Sequence, residues 1–320
     1  MPQPTRSDVH VNRPLTNISI AYIQQAQDFI ADKVFPIVPV MKQSDRYFVY
    51  TKDFWFRTTA AKRAPATESA GSSFGVDNTP SYYADVWATH VDVDDQMRAN
   101  QDQPLDLDRD STLFVTQQLM LRREMQFMAS YMKTGIWTGD PSGDFTPGTS
   151  WSSDASNPIQ DIDTEKSKVK SQTGRLPNTL VVSPDVFFRF RNHPVILDRI
   201  KYTQRGIISE DLLASLFGVE KFLVAAAVQN ASQESVPGSY NYLAANQALL
   251  VYANPAPSLM QPSGGYIFSW QGLFGAGAQG NRISSFRMEH LKADRIEGEM
   301  AFSMKQVGAD LGVYINAPLF

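Results

Sequence analysis

Several sets of residues have a type and spacing that chemistry could use. Gly71-Ser72-Ser73-Phe74-Gly75 fits G-x-S-x-G, the elbow on which a serine hydrolase raises its nucleophile between a buried strand and a helix. The flanks here are Thr67-Glu68-Ser69-Ala70 and Val76-Asp77-Asn78-Thr79-Pro80, which supply neither element. Ser73 therefore reads as part of a loop tip. Gly275, Gly277 and Gly280 fit G-x-G-x-x-G after a plausible strand, GYIFSW. A dinucleotide site needs a helix N-terminus next, to receive the pyrophosphate. The residues after Gly280, NRISSFRMEH, have no helical face.

Asp106, Asp108 and Asp110 copy the opening of a calcium loop. Its sixth position is Ser111 instead of glycine and its twelfth Gln117 instead of glutamate. Acids at the positive end of a helix explain the same three residues more simply. Asp92, Asp94 and Asp95 offer oxygens to a hard cation, or a solvated strand face. His10, His90, His193 and His290 lack H-E-x-x-H spacing and read as structural, with His193-Pro194 starting a helical turn. The chain has no cysteine, which excludes disulfides, thiolate metal sites and cysteine nucleophiles. No catalytic, cofactor-binding or metal-binding residue is assigned, and no cofactor is expected.

Glu124 is the charge that stands out. Asp110 to Gly135 reads as one long amphipathic helix of roughly 36 Å at 1.5 Å per residue. Leu113, Phe114, Met120, Leu121, Met125, Phe127, Met128, Tyr131 and Met132 share one broad face. Gln118, Arg122, Gln126, Ser130 and Lys133 fall opposite, while Val115 and Leu119 fit neither side. Asp110 or Ser111 is placed to cap the start and Gly135 to stop the end. Glu124 projects from the centre of the apolar face, where an unpaired carboxylate is costly. Either it pairs with a cation of its own subunit or of an adjacent copy, or the helix is rolled so that it lies at a groove edge.

The elements around this helix follow from local pattern. Residues 1–20, broken by Pro2, Pro4 and Pro14, form no compact element and read as an extended arm or a frayed terminus. A short helix over 19–34 ends at Pro36. RYFVYT (46–51) and YYADVWATHVDV (82–93) read as strands. The polar, turn-rich stretch between them carries Lys52, Arg57, Lys62 and Arg63, and is long to be structureless in a compact fold. It reads as a projecting two-stranded arm, reaching at most about 65 Å at 3.3 Å per residue. A lone hairpin is marginal in water, so it needs something to lie on, most simply another copy of the chain. After a Gly/Pro/Ser-rich loop (135–158), short helices and apolar strands alternate over 177–280, a mixed α/β unit. Ile283 to Phe320 returns to strand character.

In bulk, 320 residues that are 42% hydrophobic can build a sizeable core, in one elaborated domain or two. A net charge of −4 fits neither a strongly basic nucleic-acid binder nor an acidic tail protein. The N-terminus lacks the apolar core of a signal peptide, and no apolar run is long enough to span a membrane. The chain is expected to be made in a cytosol and kept there, or assembled from there.

Taken in order, terminal arm, long hairpin, long helix, tryptophan-containing loop (Trp151-Ser-Ser-Asp-Ala-Ser-Asn-Pro-Ile-Gln-Asp-Ile), α/β unit (177–228) and closing strands (295–319) resemble the major capsid protein of tailed bacteriophages, the HK97-like fold. The resemblance covers nearly the whole chain. It implies an α+β fold with an N-terminal arm and short helix (1–44), an extended loop (45–90), a peripheral domain (91–170 and 283–320) with its spine helix at 110–134, and an axial domain (171–282). It implies a non-enzymatic shell subunit that forms hexamers and pentamers and builds an icosahedral head around double-stranded DNA, without sequence-specific binding. Expected partners are a separate scaffolding protein, a portal and a decoration protein, with assembly in the bacterial host cytoplasm and no membrane. Lys52, Arg57, Lys62, Arg63 and Glu124 are the candidate inter-subunit contacts. An encapsulin-like compartment shell is the near alternative; a serine hydrolase using Ser73 is the alternative from another class.

Overall fold

The computed structural model describes residues 24–101, 105–201, 208–233, 235–257, 260–273 and 280–319. The terminal arm of residues 1–20, His10, Gly275 and Gly277 lie outside them. One helical turn, α1 (Ala31–Val34), leads to strand β1 (Ile37–Val40). Strands β2 (Ser44–Arg46) and β3 (Val49–Tyr50) run out to a second turn, α2 (Lys52–Trp55). Strands β4 (Val76–Asp77) and β5 (Ser81–Tyr83) run back, and β6 (Asp85–Asp94) and α3 (Asp95–Ala99) come after them. Helix α4 (Leu107–Tyr131) crosses the molecule. Next come α5 (Pro158–Thr173), β7 (Thr179–Val182), α6 (Pro184–Asn192), α7 (Pro194–Ile200) and α8 (Glu210–Phe217). Strands β8 (Lys221–Val224), β9 (Val228–Asn230), β10 (Tyr240–Tyr242) and β11 (Gln247–Val251) lead to β12 (Gly265–Trp270). The chain closes with β13 (Asn281–Met288), β14 (Ala293–Gln306) and β15 (Gly312–Asn316).

Two sheets organise the body. In the first, β14 pairs with β6 along one edge, from Ala293↔Asp94 to Phe302↔Asp85. Its other edge takes β13 along the first half and β12 along the second, and β1 joins β12 in parallel. The second sheet has the order β15-β11-β7-β8. Its strand β7 is buried on both faces, as its unbroken TLVV run requires. Successive side chains point to opposite faces, so the second sheet feeds two cores. Leu180, Val182, Ala248, Leu250 and Ile315 meet the helices through Phe190, Ile196, Leu213 and Phe217. Val181, Leu249, Val251 and Tyr314 join a core with Phe127, Tyr131 and Trp137, continuous with Ile267, Met300 and Phe302 of the first sheet.

Helix α4 differs from its sequence-based outline. It starts at Leu107, because the Asp106 carboxylate already accepts the Arg109 amide (3.2 Å) and caps it. It ends at Tyr131, whose carbonyl accepts the Trp137 indole N–H (2.8 Å), so Gly135 falls beyond the end. The buried stripe also differs. Val115 (0% exposed) and Leu119 (8%) are core, whereas Leu113 (46%) and Phe114 (40%) face out. The reason is a change of support along the helix. The first half rests on the first sheet at Gly298, where a β-carbon would stand 2.3 Å from Val115 and 2.9 Å from Leu119. The second half turns Phe127, Met128 and Tyr131 toward Phe35 and Trp137, so the stripe rolls around the axis.

Strand pairing also crosses the expected domain boundaries. β12 falls within 171–282 but pairs in the first sheet, because the C-terminal half of β14 offers it an edge beyond β13. β15 falls within 283–320 but pairs with β11 in the second sheet. The loop expected over 45–90 ends earlier, since β6 from Asp85 onward is a body strand on β14.

Candidate assembly surfaces

The arm is built from two short antiparallel ladders. Ser44–Arg46 pairs with Ser81–Tyr83, and farther out Val49 faces Asp77 and Tyr50 faces Val76. Its base is fixed to the body by Phe268, on which Tyr82 stacks at 4.6 Å and Tyr47 at 5.4 Å. Beyond the ladders no residue from 51 to 80 is buried. Tyr50, Trp55 and Phe74 form a small ring cluster with centroids 6.2–6.4 Å apart. Phe48 (67% exposed) and Phe74 (63%) stand in solvent, together with Phe54, Trp55 and Phe56. Exposed aromatics this numerous on one limb mark an interaction surface.

The four arm cations do different things. The Lys52 ammonium is 2.5 Å from the Asp310 carboxylate of the same chain, which corrects the expectation of a partner on another copy alone. Arg63 donates through Nε to the Thr67 carbonyl within its own loop. Arg57 and Lys62 are exposed, with no hydrogen bond or ion pair among the described residues. Ser73 is exposed in the same loop, and β4 comes after it where an elbow needs a helix.

Glu124 corrects the expected contact with a cation. It is wholly buried inside the subunit, so it reaches no neighbour. Its Oε2 accepts the backbone N–H groups of Ile30 (3.0 Å) and Ala31 (2.9 Å), at the start of α1. The partner is the positive end of a helical turn, which a search for cationic side chains passes over. Burial pushes the carboxyl up to about 7, against the pull of the two N–H groups and Arg123. Oε1 has no hydrogen-bond partner among the described residues. The same segment is fastened by Arg123 to Asp32 (3.1 Å) and by Gln24 to the Val228 backbone (2.7 and 2.8 Å).

The aspartates considered as cation ligands are paired instead. Asp92 takes both arms of Arg295 (2.7 and 2.8 Å), and Asp94 caps α3 through the Gln96 amide (2.7 Å). Arg98 joins Asp108 (2.6 Å) to Asp294, and Arg287 joins Asp294 to Asp95. Arg287 holds the Asp95 carboxyl below its usual range, and Arg98 does the same for Asp294. Among the described residues no group of three His, Asp or Glu side chains is arranged to hold a metal ion, and no helix is long and apolar enough to cross a membrane. His193 caps α7: Nδ1 accepts the Val195 amide (3.3 Å) and Nε2 meets Ser156 Oγ (2.9 Å).

No family model matches the chain. It is 23% identical over 312 residues, 96% of each chain, to a major capsid protein of Burkholderia phage BcepMu. Among solved structures it matches a phage-related protein of Bordetella bronchiseptica RB50 with a TM-score of 0.70 at 21% identity, covering 92% of this chain and 93% of that one. The capsid of cyanophage P-SCSP1u matches at 0.58 and 11% identity over 99% of each chain. The SrpI encapsulin of Synechococcus elongatus PCC 7942 matches at 0.57 and 13% identity, over 96% of this chain and 94% of that one. The chain has the HK97-like fold of phage capsid subunits.

Within that fold the projecting limb is the extended loop and α4 the spine helix. One buried cluster had no sequence signal beyond an i,i+3 Glu–Lys spacing on α5. Glu165 is fully buried, and Lys168 reaches both it (2.6 Å) and Asp140 (2.8 Å). Burial raises the Glu165 carboxyl. Burial also opposes the charge of Asp140, but Lys168 and the Ser142 amide hold that carboxyl below its ordinary value. The cluster ties the loop after α4 to α5 and so serves the body, not the limb.

Proposed function

We propose that this chain is the major capsid protein of a tailed bacteriophage. Many copies form hexamers and pentamers, and these close into an icosahedral head around double-stranded DNA. The observation that carries the reading is the extended loop, with a base anchored on Phe268 and an aromatic tip that the subunit leaves bare. Such a limb has most of its buried area to gain against another molecule, and likeness to capsid subunits over nearly the whole chain supports a further copy as that molecule. Arg57, Lys62 and Arg63 are the extended-loop cations proposed to meet acidic groups on neighbours. The mildly acidic chain suits a container, since a strongly basic wall would hold packaged DNA through many phosphate contacts. A scaffolding protein, a portal and a decoration protein are its proposed partners, and the host cytoplasm its place of assembly.

Electron microscopy of the purified protein tests this directly. Rings or closed shells are expected, and a protein that stays monomeric at high concentration overturns the reading. The encapsulin likeness supports a second reading, a small compartment shell. Particle size and nucleic-acid content separate the two. No labelling of Ser73 by a fluorophosphonate probe is expected; stoichiometric labelling would reopen the hydrolase alternative.

A further inference from the structure

Beyond its base the extended loop touches its own body beside the end of α5. Lys52 Nζ lies 2.5 Å from Asp310, a residue 258 positions away on the 3-10 turn Ala309–Leu311. Beside it the Phe56 ring lies over Gly174, the left-handed residue that ends α5, so close that a β-carbon there would touch the ring at 3.4 Å. One ion pair and one ring contact thus seat the first turn of the loop tip, α2, in a corner made by the end of α5 and the turn before β15.

This seat is poorly suited to be permanent. Phe56 stays 64% exposed, and Lys52 and Asp310 keep 46% and 25% of their side-chain surface. The ladders behind the tip are three and two residues long, with Tyr47 and Phe48 between them. A limb so weakly paired can swing about its base, and whatever it gains in this corner an identical limb from another copy gains as well. That equivalence is the condition for exchanging an element between protomers at low cost.

We propose that the corner formed by Asp310 and Gly174 is the receptor for the extended-loop tip of a second copy, occupied in the lone subunit by the chain's own tip. The inference rests on the shell reading and names the surface that reading requires. Lys52 supplies the charge complementary to Asp310, the Phe56 ring packs beside Gly174, and own and foreign tips compete for one place. An exposed pair of this kind shifts an equilibrium by at most about fivefold. A ring of subunits repeats it at every interface, so its effect on ring closure multiplies.

Charge reversal with mixing tests the exchange. The single variants K52D and D310K each place like charges at the pair, whether it forms within a chain or between chains. Both should keep the wild-type melting temperature and lose ring and shell yield. Mixed in equal amounts, the two can alternate around a six-membered ring, and every loop then meets a corner of opposite charge on its neighbour, although no chain can satisfy itself. Recovery of rings in the mixture is the expected result. Rings from the double variant K52D/D310K but none from the mixture would mean that the pair closes only within a chain, and would overturn the proposal. Unimpaired assembly of the single variants would overturn it too. Absence of rings from the wild-type protein would instead fell the shell reading on which the proposal stands.

Discussion

The body and the extended loop of this subunit are made of similar residues put to opposite uses. In the body, Phe35, Phe127, Tyr131 and Trp137 interlock, with Phe35 and Tyr131 centroids 4.5 Å apart and all four rings closed to solvent. In the loop, Tyr50, Trp55 and Phe74 meet at similar distances, yet Tyr50 is only half-buried and Trp55 and Phe74 stay more than half exposed. Aromatic content therefore says little about where a segment is stable. Two sheets and a crossing helix can enclose a ring from every side, and a two-stranded limb cannot. The body encloses its rings, and the limb leaves most of its own bare.

Substitutions can break or sharpen that contrast, and they rank by their effect on the subunit alone. Phe127→Ala removes a ring with no exposed surface, and should cost about 3–5 kcal/mol of subunit stability. Calorimetry should show a large fall in melting temperature, with assembly lost as a consequence.

Glu124 comes next, and its sign is specific. Its folded value of about 7 lies above the ordinary 4.5 of an exposed carboxyl. A group raised in this way contributes stability fully below the unfolded value and loses it as pH rises through the folded one. The subunit should therefore weaken between pH 4.5 and 7 by up to about 3 kcal/mol through this group. Glu124→Gln should flatten the slope of melting temperature against pH in that window; an unchanged slope would assign it to other groups. The Asp95 and Asp294 carboxylates, held low by arginines, act in the opposite direction. Their contribution is present above the unfolded aspartate value and is lost as pH falls through the depressed folded one. Both carboxylates are partly exposed to water, so added salt should weaken that acid sensitivity.

Gly298→Ala should cost about 1–3 kcal/mol, since the new methyl meets Val115 and Leu119 where α4 crosses β14. At the far end of the ranking is Trp55→Ser. It should leave the melting temperature of the free subunit within about 0.5 kcal/mol of wild type, yet reduce ring and shell formation seen by light scattering. A fall in subunit stability comparable to that of the body substitutions would erase the distinction between limb and body.

Local pattern made some of this structure legible and long-range pairing hid the rest. Ser209 and Gly218 bracket α8 as their types require, and the apolar runs of β7 and β11 are buried strands. Glu124 stood out in sequence because it breaks an apolar face. Its partner did not, because backbone N–H groups at Ile30 and Ala31 carry no side-chain signature. The roll of α4 was hidden for a related reason. A single projection assumes one buried side, and this helix changes its support halfway along. The Lys52–Asp310 pair spans most of the chain, and the pairing of β12 and β15 across the expected domain boundaries depends on which strand edges are free once the sheets have formed.

Hydrogen exchange of residues 57–73, compared between the free subunit and the assembled particle, tests the central claim most directly. These amides are exposed in the subunit and carry almost no backbone hydrogen bonds, the Thr67 amide to the Ala64 carbonyl being an exception. They should exchange at nearly the rate of an unfolded chain before assembly and slow markedly after it, while β7 and β14 stay protected in both states. Equal exchange of the segment before and after assembly would contradict the account.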